Sequence, residues 1–507
     1  MPDEHNSKKK SELVFGIVSA VGANLESLQT TLCTHLAAFG YAAIIQRVSK
    51  YLKNIEAVKD GLVESPEDAR LESYISAGNA IRRLSRRPEF LALYAASEIG
   101  RPRSGQKDKS LPNTAHIINS LKRPEEVTQL RSIYGPGFFL LGIYSPQHQR
   151  ADYLENVKKI LPERAIFHIQ RDQREEDDPF GQRTRDTFHL ADVFIRLDPS
   201  DPDRTSAELC RFLDLVFGHP YKTPKEDEQR MFLAYAASLR SGSLARQVGA
   251  VITSAKGDVI ATGLNDVPAA GGGLYWPGPV DERDHVKGVD SNDERRDKMI
   301  LEIMERLNPN AERTSQEKEE LLLKGREALK GSMVFDITEF GRAVHAEMEA
   351  LLCAARVGVS PVGGTLYCTT FPCHNCAKHI VAAGIKRVVY IEPYPKSQAE
   401  QLHSDSIVVE GDEHVYDDSK VHFEPFVGIG PRRYFDLFSM NLSTGYPVVR
   451  KKDGRTIPWD PAVAQPRVPM HPTTYIEREL AAAGLELKNA MEETRTNVLE
   501  QRKDRHE

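Results

Sequence analysis

The sequence predicts an α/β protein of two domains, followed by a proline-rich linker and a C-terminal helix. Three observations carry this. β-rich apolar runs alternate with helical spacing from Leu13 to His219, the pattern of a parallel sheet. A second series, in the order helix, hairpin, helix, strand, helix, strand, fills residues 226–445. The chain has 507 residues, 40% apolar and 28% charged, an ordinary balance for globular protein and enough for about two to four domains.

The first domain, 13–219, opens with the apolar run LVFGIV, a Gly-containing turn SAVGAN and a helical pattern to about Ala38. GYAAIIQRV reads as a second strand. DARLESYISAGNAIRRLSRR and PEFLALYAASEI have helical spacing. TAHIINSLKR, PEEVTQLRSIYG and FFLLGIYS read strand, helix, strand, and HLADVFIRL holds a further short strand. The second domain, 226–445, starts with the helix MFLAYAASLR. RQVGAVITSAKGDVIATGLN is a hairpin turning on Lys-Gly-Asp. An insert at 266–335 is Gly-rich, then charged and helical. AVHAEMEALLCAARVG is a helix, GTLYCTT a strand stopped at Pro372, CHNCAKHIVAAG a helix closed by glycine, and KRVVYIE and VHFEPFVGI strands. Residues 446–507 form the linker and a charged helix. Its apolar stripe, Leu480, Leu487, Met491 and Val498, packs on the body or on another subunit.

Composition excludes several classes. The net charge of −6 argues against a protein that coats nucleic acid through a broad basic surface. No run of 18 apolar residues exists, so no membrane span is expected. The charged start MPDEHNSKKKSE lacks the apolar core of a secretion signal, so a cytoplasmic location is expected. Six cysteines are too few for a disulfide scaffold, and clustered ones read as metal-binding or catalytic.

One constellation is sharp: His345-Ala346-Glu347 and, after a strand, Pro372-Cys373-His374-Asn375-Cys376. Two cysteines three apart at a helix start point their sulfurs at one spot. The helix N-terminus favours their thiolates. His345 adds a neutral nitrogen, which makes three protein ligands and leaves the fourth position of a tetrahedral Zn2+ site for water. Zinc lowers the pKa of that water toward neutrality. Glu347 is too close to His345 to ligate the same ion, but it reaches the water as a proton shuttle. This H-x-E and P-C-x-x-C arrangement is the signature of zinc nucleobase deaminases. The rival is a closed structural zinc with Cys368, His374 or His379 as fourth ligand, which gives an acid at 347 no task.

The hairpin RQVGAVIT…GDVIATGLNDVP, FGRAVHAEMEALL and GTLYCTTFPCHNCAKHIVAAGIKRVVYIEPYPKS resemble deoxycytidylate deaminases across most of residues 230–400. The resemblance implies a cytidine-deaminase-like α/β/α fold. It also implies that Asn265 holds the sugar hydroxyl and that Ala346 lies against the substrate. Leu264 and Asp266 stand where tyrosine and glycine are common in that family. No cysteine lies between Cys210 and Cys353, so a second zinc in the insert is not expected. Arg246, Lys386 and Lys396 are candidates for phosphate contact.

In the first domain, SAVGAN lies where a phosphate-binding loop would lie, between a strand and a helix. Gly22 takes the final glycine position, and Ala23 and Asn24 replace the lysine and Ser/Thr that such a loop needs. IINSLKRPEEVTQLRSIYGPGFFLLGIY and GQRTRDTFHLADVFI resemble segments of nucleotide kinases, so the domain looks like a P-loop kinase with its charged catalytic parts replaced. It either binds nucleotide through Gly22 and its neighbours or serves as an assembly surface. Together the halves resemble the bacterial anti-phage dCTP deaminases. That resemblance implies deamination of dCTP and dCMP with depletion of the cytosine deoxynucleotide pool, a homo-oligomer, and restraint by a small RNA in some relatives. Two alternatives stay open: a deaminase of bases in RNA or single-stranded DNA, and a nucleotide sensor with a vestigial deaminase site.

Overall fold

The computed structural model describes residues 10–103, 110–175, 178–309, 313–393, 398–409, 419–441, 445 and 447–503. Lys396 lies outside them. The chain divides into two compact units: residues 1–228, 392–395 and 425–507, and residues 229–391 and 396–424.

The first unit is built on β1 (Leu13–Ser19), β2 (Ala42–Arg47), β3 (Thr114–Asn119), β4 (Phe138–Tyr144) and β5 (Val193–Arg196). They pair in parallel in the spatial order β5-β4-β1-β3-β2. β1 reads LVFGIVS because both its faces are covered, and all seven residues are buried. Leu13, Phe15 and Ile17 face Leu28, Leu32 and Leu36 of helix Leu25–Ala38 and Leu209, Phe212 and Val216 of helix Pro202–Val216. β2 is the edge, where Ile44 and Ile45 are partly exposed. Asn24 caps the helix Leu25–Ala38 through its side chain, a task that suits the residue standing at the Ser/Thr position.

The second unit contains β6 (Gly249–Thr253), β7 (Val259–Leu264), β8 (Thr365–Cys368), β9 (Arg387–Tyr390), β10 (Ile407–Val409) and β11 (Val421–Pro425) in the order β10-β11-β9-β8-β6-β7. β6 is antiparallel to β7 and β8, and β8 runs parallel to β9. Alternation sorts the faces. Ala250, Ile252, Leu366, Cys368, Val388 and Tyr390 join one buried cluster with helices Ala346–Val357 and His374–Ala382. On the other side, a Cβ at Gly249 would meet the Ala234 carbonyl oxygen at 1.9 Å, so helix Glu226–Ser238 lies directly on the sheet.

Two expectations about the C-terminal part differ from the structure. VHFEPFVGI is not one strand. Its first half is β11 in the second unit, while Gly428–Ile429 pairs antiparallel with β5 at the edge of the first sheet. Gly428 has φ +134 and a Cβ there would meet Glu228, so glycine permits the crossing. Residues 425–445, expected with the second domain, therefore lie in the first unit. The C-terminal helix packs on helices Glu67–Ser85, Phe90–Gly100 and Pro124–Tyr134, but only part of the expected stripe takes part. Leu487 of the stripe is buried and Val498 half-buried, whereas Leu480 and Met491 are exposed and Tyr475, Ala482 and Ala490 are buried; a π-helical turn at Ala482–Glu486 puts Leu480 out of phase with Leu487. Among the described residues, no helix is long and apolar enough to cross a membrane.

Candidate active site

Two helix N-termini build the site in the second unit. His345 is the N-cap of Ala346–Val357, and Cys373 is the N-cap of His374–Ala382, its sulfur accepting the Cys376 N–H at 3.4 Å. His345 Nδ1 lies 3.3 Å from Cys373 Sγ and 3.4 Å from Cys376 Sγ. The three ligand atoms lie within 4.8 Å of one another. Tetrahedral zinc with Zn–N and Zn–S bonds of ordinary length separates such N and S atoms by about 3.5 Å, so the residues fit the metal. Cys376 donates to Cys373, which holds the Cys373 thiol down to about 4 and pushes the Cys376 thiol well up. A divalent cation held here would replace the shared proton and favour both thiolates.

Glu347 sits in the first turn of the helix, 3% exposed. Burial first, and the Cys373 charge second, push its carboxyl above the usual range. Burial thus favours the protonated form, as suits a group that takes up a proton and hands it on. Cys368, the end of β8, is fully buried beside it, its thiol raised by burial and by the Glu347 charge. Cys368 is thus not among the three grouped ligands.

The other predicted residues fall at different distances from this chemistry. Ala346 is fully buried at the helix start. Asn265 follows β7, where its Oδ1 accepts the Val248 N–H and its Nδ2 donates to the Arg246 carbonyl, both at 2.7 Å. Each end of that amide keeps one further valence. Arg246 is exposed, yet its charge is felt at His345 and Cys368. Lys386 precedes β9, whereas the cysteines follow the parallel β8, so about 13 Å of strand separates it from the site. Gly22 belongs to the first unit.

Two positioning features escape sequence reading. Gly263 in β7 lies under the helix start, and a Cβ there would meet the Ala346 carbonyl oxygen at 2.1 Å. The Asp266 carbonyl accepts the Val344 N–H at 3.0 Å, which fixes the residue before His345. The Asp266 side chain is buried, accepts the Gly242 N–H at 3.1 Å, and lies 3.6 Å from the Arg283 guanidinium of the insert. The glycine common at 266 in deoxycytidylate deaminases has no side chain for this, so only the structure shows the task of Asp266.

Comparison with known proteins bears on this region. Residues 224–392 match the family model of the cytidine and deoxycytidylate deaminase zinc-binding region. Deoxycytidylate deaminase of Enterobacteria phage T4 is 51% identical over 55 residues, 11% of this chain and 28% of that protein. ComE operon protein 2 of Bacillus subtilis is 41% identical over 81 residues, 15% and 43% of the two chains. A probable deoxycytidylate deaminase of Drosophila melanogaster is 39% identical over 94 residues, 17% and 45%. The chain thus spans less than half the length of these relatives. The dCMP deaminase of cyanophage S-TIM5, solved with dCMP and dUMP, is 20% identical and is covered completely by 41% of this chain, at a TM-score of 0.22 that bears on neither fold nor chemistry. The C-terminal part of the chain carries a deaminase domain of the deoxycytidylate type.

Proposed function

We propose that the protein is a zinc-dependent deaminase of free deoxycytidine nucleotides, converting dCTP, dCMP or both to the uracil nucleotide and ammonia. The observation that carries this is Glu347, a buried acid with a raised pKa in the helical turn that starts at the metal-binding His345. A closed structural zinc gives such an acid no task. His345, Cys373 and Cys376 would hold the zinc, which when bound supplies Lewis acidity that makes water nucleophilic near neutral pH.

The remaining work falls to the chain's own residues. Water adds to C4 of the cytosine ring and the C4–N bond breaks. Glu347 takes one proton from the water and passes it to ring N3, then takes the second from the C4 hydroxyl as it becomes the carbonyl and gives it to the amine, which leaves as ammonia. Asn265 holds the sugar hydroxyl with the amide valences that the Arg246 and Val248 backbone leaves free. Arg246 favours an anionic substrate at this edge. In the cell, turnover would deplete cytosine deoxynucleotides, the anti-phage role that the whole-chain resemblance suggests.

A deamination assay on dCMP, dCTP, CMP and a short single strand tests the reading. The free deoxynucleotides are turned over and the strand is not. Activity confined to the strand, or to the ribonucleotide, contradicts it.

A further inference from the structure

We propose that the insert serves as a bracket for the metal site and that Asn292 is a positioning residue, acting on His345 through the turn Thr338–Gly341. The proposal deepens the deaminase reading and rests on it for its activity readout. Residues 337–344 run from the insert into the metal-binding His345. They hold no helix, and no strand beyond the single pairing of Val344 with Asp266. Their one turn is closed by the Gly341 N–H donating to the Thr338 carbonyl at 3.2 Å. The place of such a segment is set by what its polar groups bond to.

Five hydrogen bonds tie the segment to the insert. Asn292 spans the turn: its Nδ2 donates to the Ile337 carbonyl at 2.8 Å, and its Oδ1 accepts the Phe340 N–H at 3.3 Å. An amide suits this place because it donates from one atom and accepts at another, which a carboxylate cannot do. Ser291 Oγ donates to the Phe340 carbonyl at 2.8 Å. Past the turn, Arg342 donates to Asp284 Oδ1 at 2.7 Å and to the Glu282 carbonyl at 3.0 Å.

The bracket is itself braced. Helix Ser291–Leu307 starts on Asp290, whose carboxylate accepts the Asn292 and Asp293 N–H groups at 2.8 and 3.2 Å and so fixes the backbone that carries Asn292. The helix packs closely on Ser315–Ala328, where a Cβ at Gly325 would meet Ile300 at 2.7 Å and Met304 at 2.8 Å. Arg326 Nε donates across to Asp297 at 3.0 Å, and the Arg296 guanidinium lies 5.0 Å over the ring of Phe335, just ahead of the segment. The turn also lies beside the second metal helix. The Glu339 carboxyl is held below the usual range by its own N–H first, then by the Thr338 N–H, the Asn375 amide and the His374 charge, against the effect of burial. Asn375 stands between Cys373 and Cys376.

His345 is the one ligand of the three that this segment leads into, whereas Asn265 follows β7. Loosening the turn should therefore weaken metal retention and turnover more than substrate affinity. The test compares the full chain and its variants in dCMP and dCTP turnover and in zinc retention against a competing chelator. Asn292→Ala should lower kcat by about tenfold or more, keep KM within about twofold, and give up zinc at a chelator concentration at least about threefold lower. Ser291→Ala removes one bond of the same turn and should move both readouts the same way by less, which keeps the test decisive even if Asn292→Ala does not fold. Asn308→Ala is the control, since that side chain donates to the Met304 carbonyl at the far end of the same helix, and it should match the parent. Parent kcat with parent zinc retention in Asn292→Ala overturns the proposal. So does a loss confined to KM, which would make the turn a substrate contact, or an equal loss in Asn308→Ala, which would assign the effect to the insert's general stability. If the parent held zinc but turned over neither nucleotide, the deaminase reading would fall, while the ranking of zinc retention would still decide this proposal.

Discussion

Replacing Gly263 by alanine puts a Cβ 2.1 Å from the Ala346 carbonyl oxygen and 2.4 Å from the Ala350 nitrogen. Neither atom can swing aside, because both belong to the backbone of helix Ala346–Val357. The helix must withdraw from β7 by about 1 Å to bring the nearer contact to 3 Å, the least separation that real Cβ atoms show. Overpacking of this kind costs about 1–3 kcal/mol, which lowers the melting temperature by roughly 2–10 °C in a unit of this size. The withdrawal also carries His345 and Glu347 away from Cys373 and Cys376, which sit on the other helix. A displacement of about 1 Å at reacting groups is worth about 10²-fold in rate. Gly263→Ala should therefore fold, melt lower, and lose about 10²-fold in kcat/KM on the better of dCMP and dCTP. Gly278→Ala is the control, since nothing lies within 4 Å of the Cβ it would add. Parent activity and parent stability in Gly263→Ala would show that the close approach of helix and strand does not position the site.

Further tests address the metal and the first unit. Metal analysis should find about one zinc per chain, lost in Cys373→Ala and on chelation together with activity; two zincs would show a site outside the described cluster. Burial and the negative Glu12 nearby hold the Glu479 carboxyl up at about 7, although it shares the buried Arg103 with Glu12. The folded state then binds the extra proton between about pH 4.5 and 7, so this group's contribution to stability is present below that window and is lost as pH rises through it. Melting of the first unit should fall with pH across the window, and Glu479→Gln should flatten the slope; an unchanged slope would assign it to other groups. Arg283→Ala should lower kcat more than it raises KM, because Asp266 holds Val344 beside His345; a pure KM effect would make Arg283 a substrate contact.

The grouping of His345, Cys373 and Cys376 is legible in the sequence for a geometric reason. His345 and Cys373 are both N-caps, and Glu347 and Cys376 follow within one turn, so local spacing alone sets which side chains share a spot. The hairpin and the parallel strands are legible because a strand's apolar pattern reports which of its faces are covered. Gly263 is not, since its need for a bare Cα arises from a helix more than eighty residues away. Nor is the pairing of Gly428–Ile429 with β5, which depends on tertiary packing around Glu228. Within the C-terminal stripe Leu487 is buried as read, but Leu480 is misplaced because one π-helical turn breaks the regular period between them. Asp172, whose carboxylate accepts the Val21 N–H at 3.0 Å, is likewise invisible, since nothing in its own segment marks it as the partner of a turn 151 residues earlier.

Glu347→Gln tests the account most directly. The amide keeps the size and much of the hydrogen bonding of the acid but carries no proton between water, ring nitrogen and ammonia. General acid–base help is worth about 10²–10⁴-fold, and this residue serves several proton steps, so turnover of dCMP and dCTP should fall by at least that order. Zinc content and melting temperature should match the parent, since Glu347 is no ligand and no packing is removed. Near-parent turnover with zinc retained would place the proton shuttle elsewhere, and loss of zinc would make Glu347 part of the metal site, contradicting the mechanism proposed here.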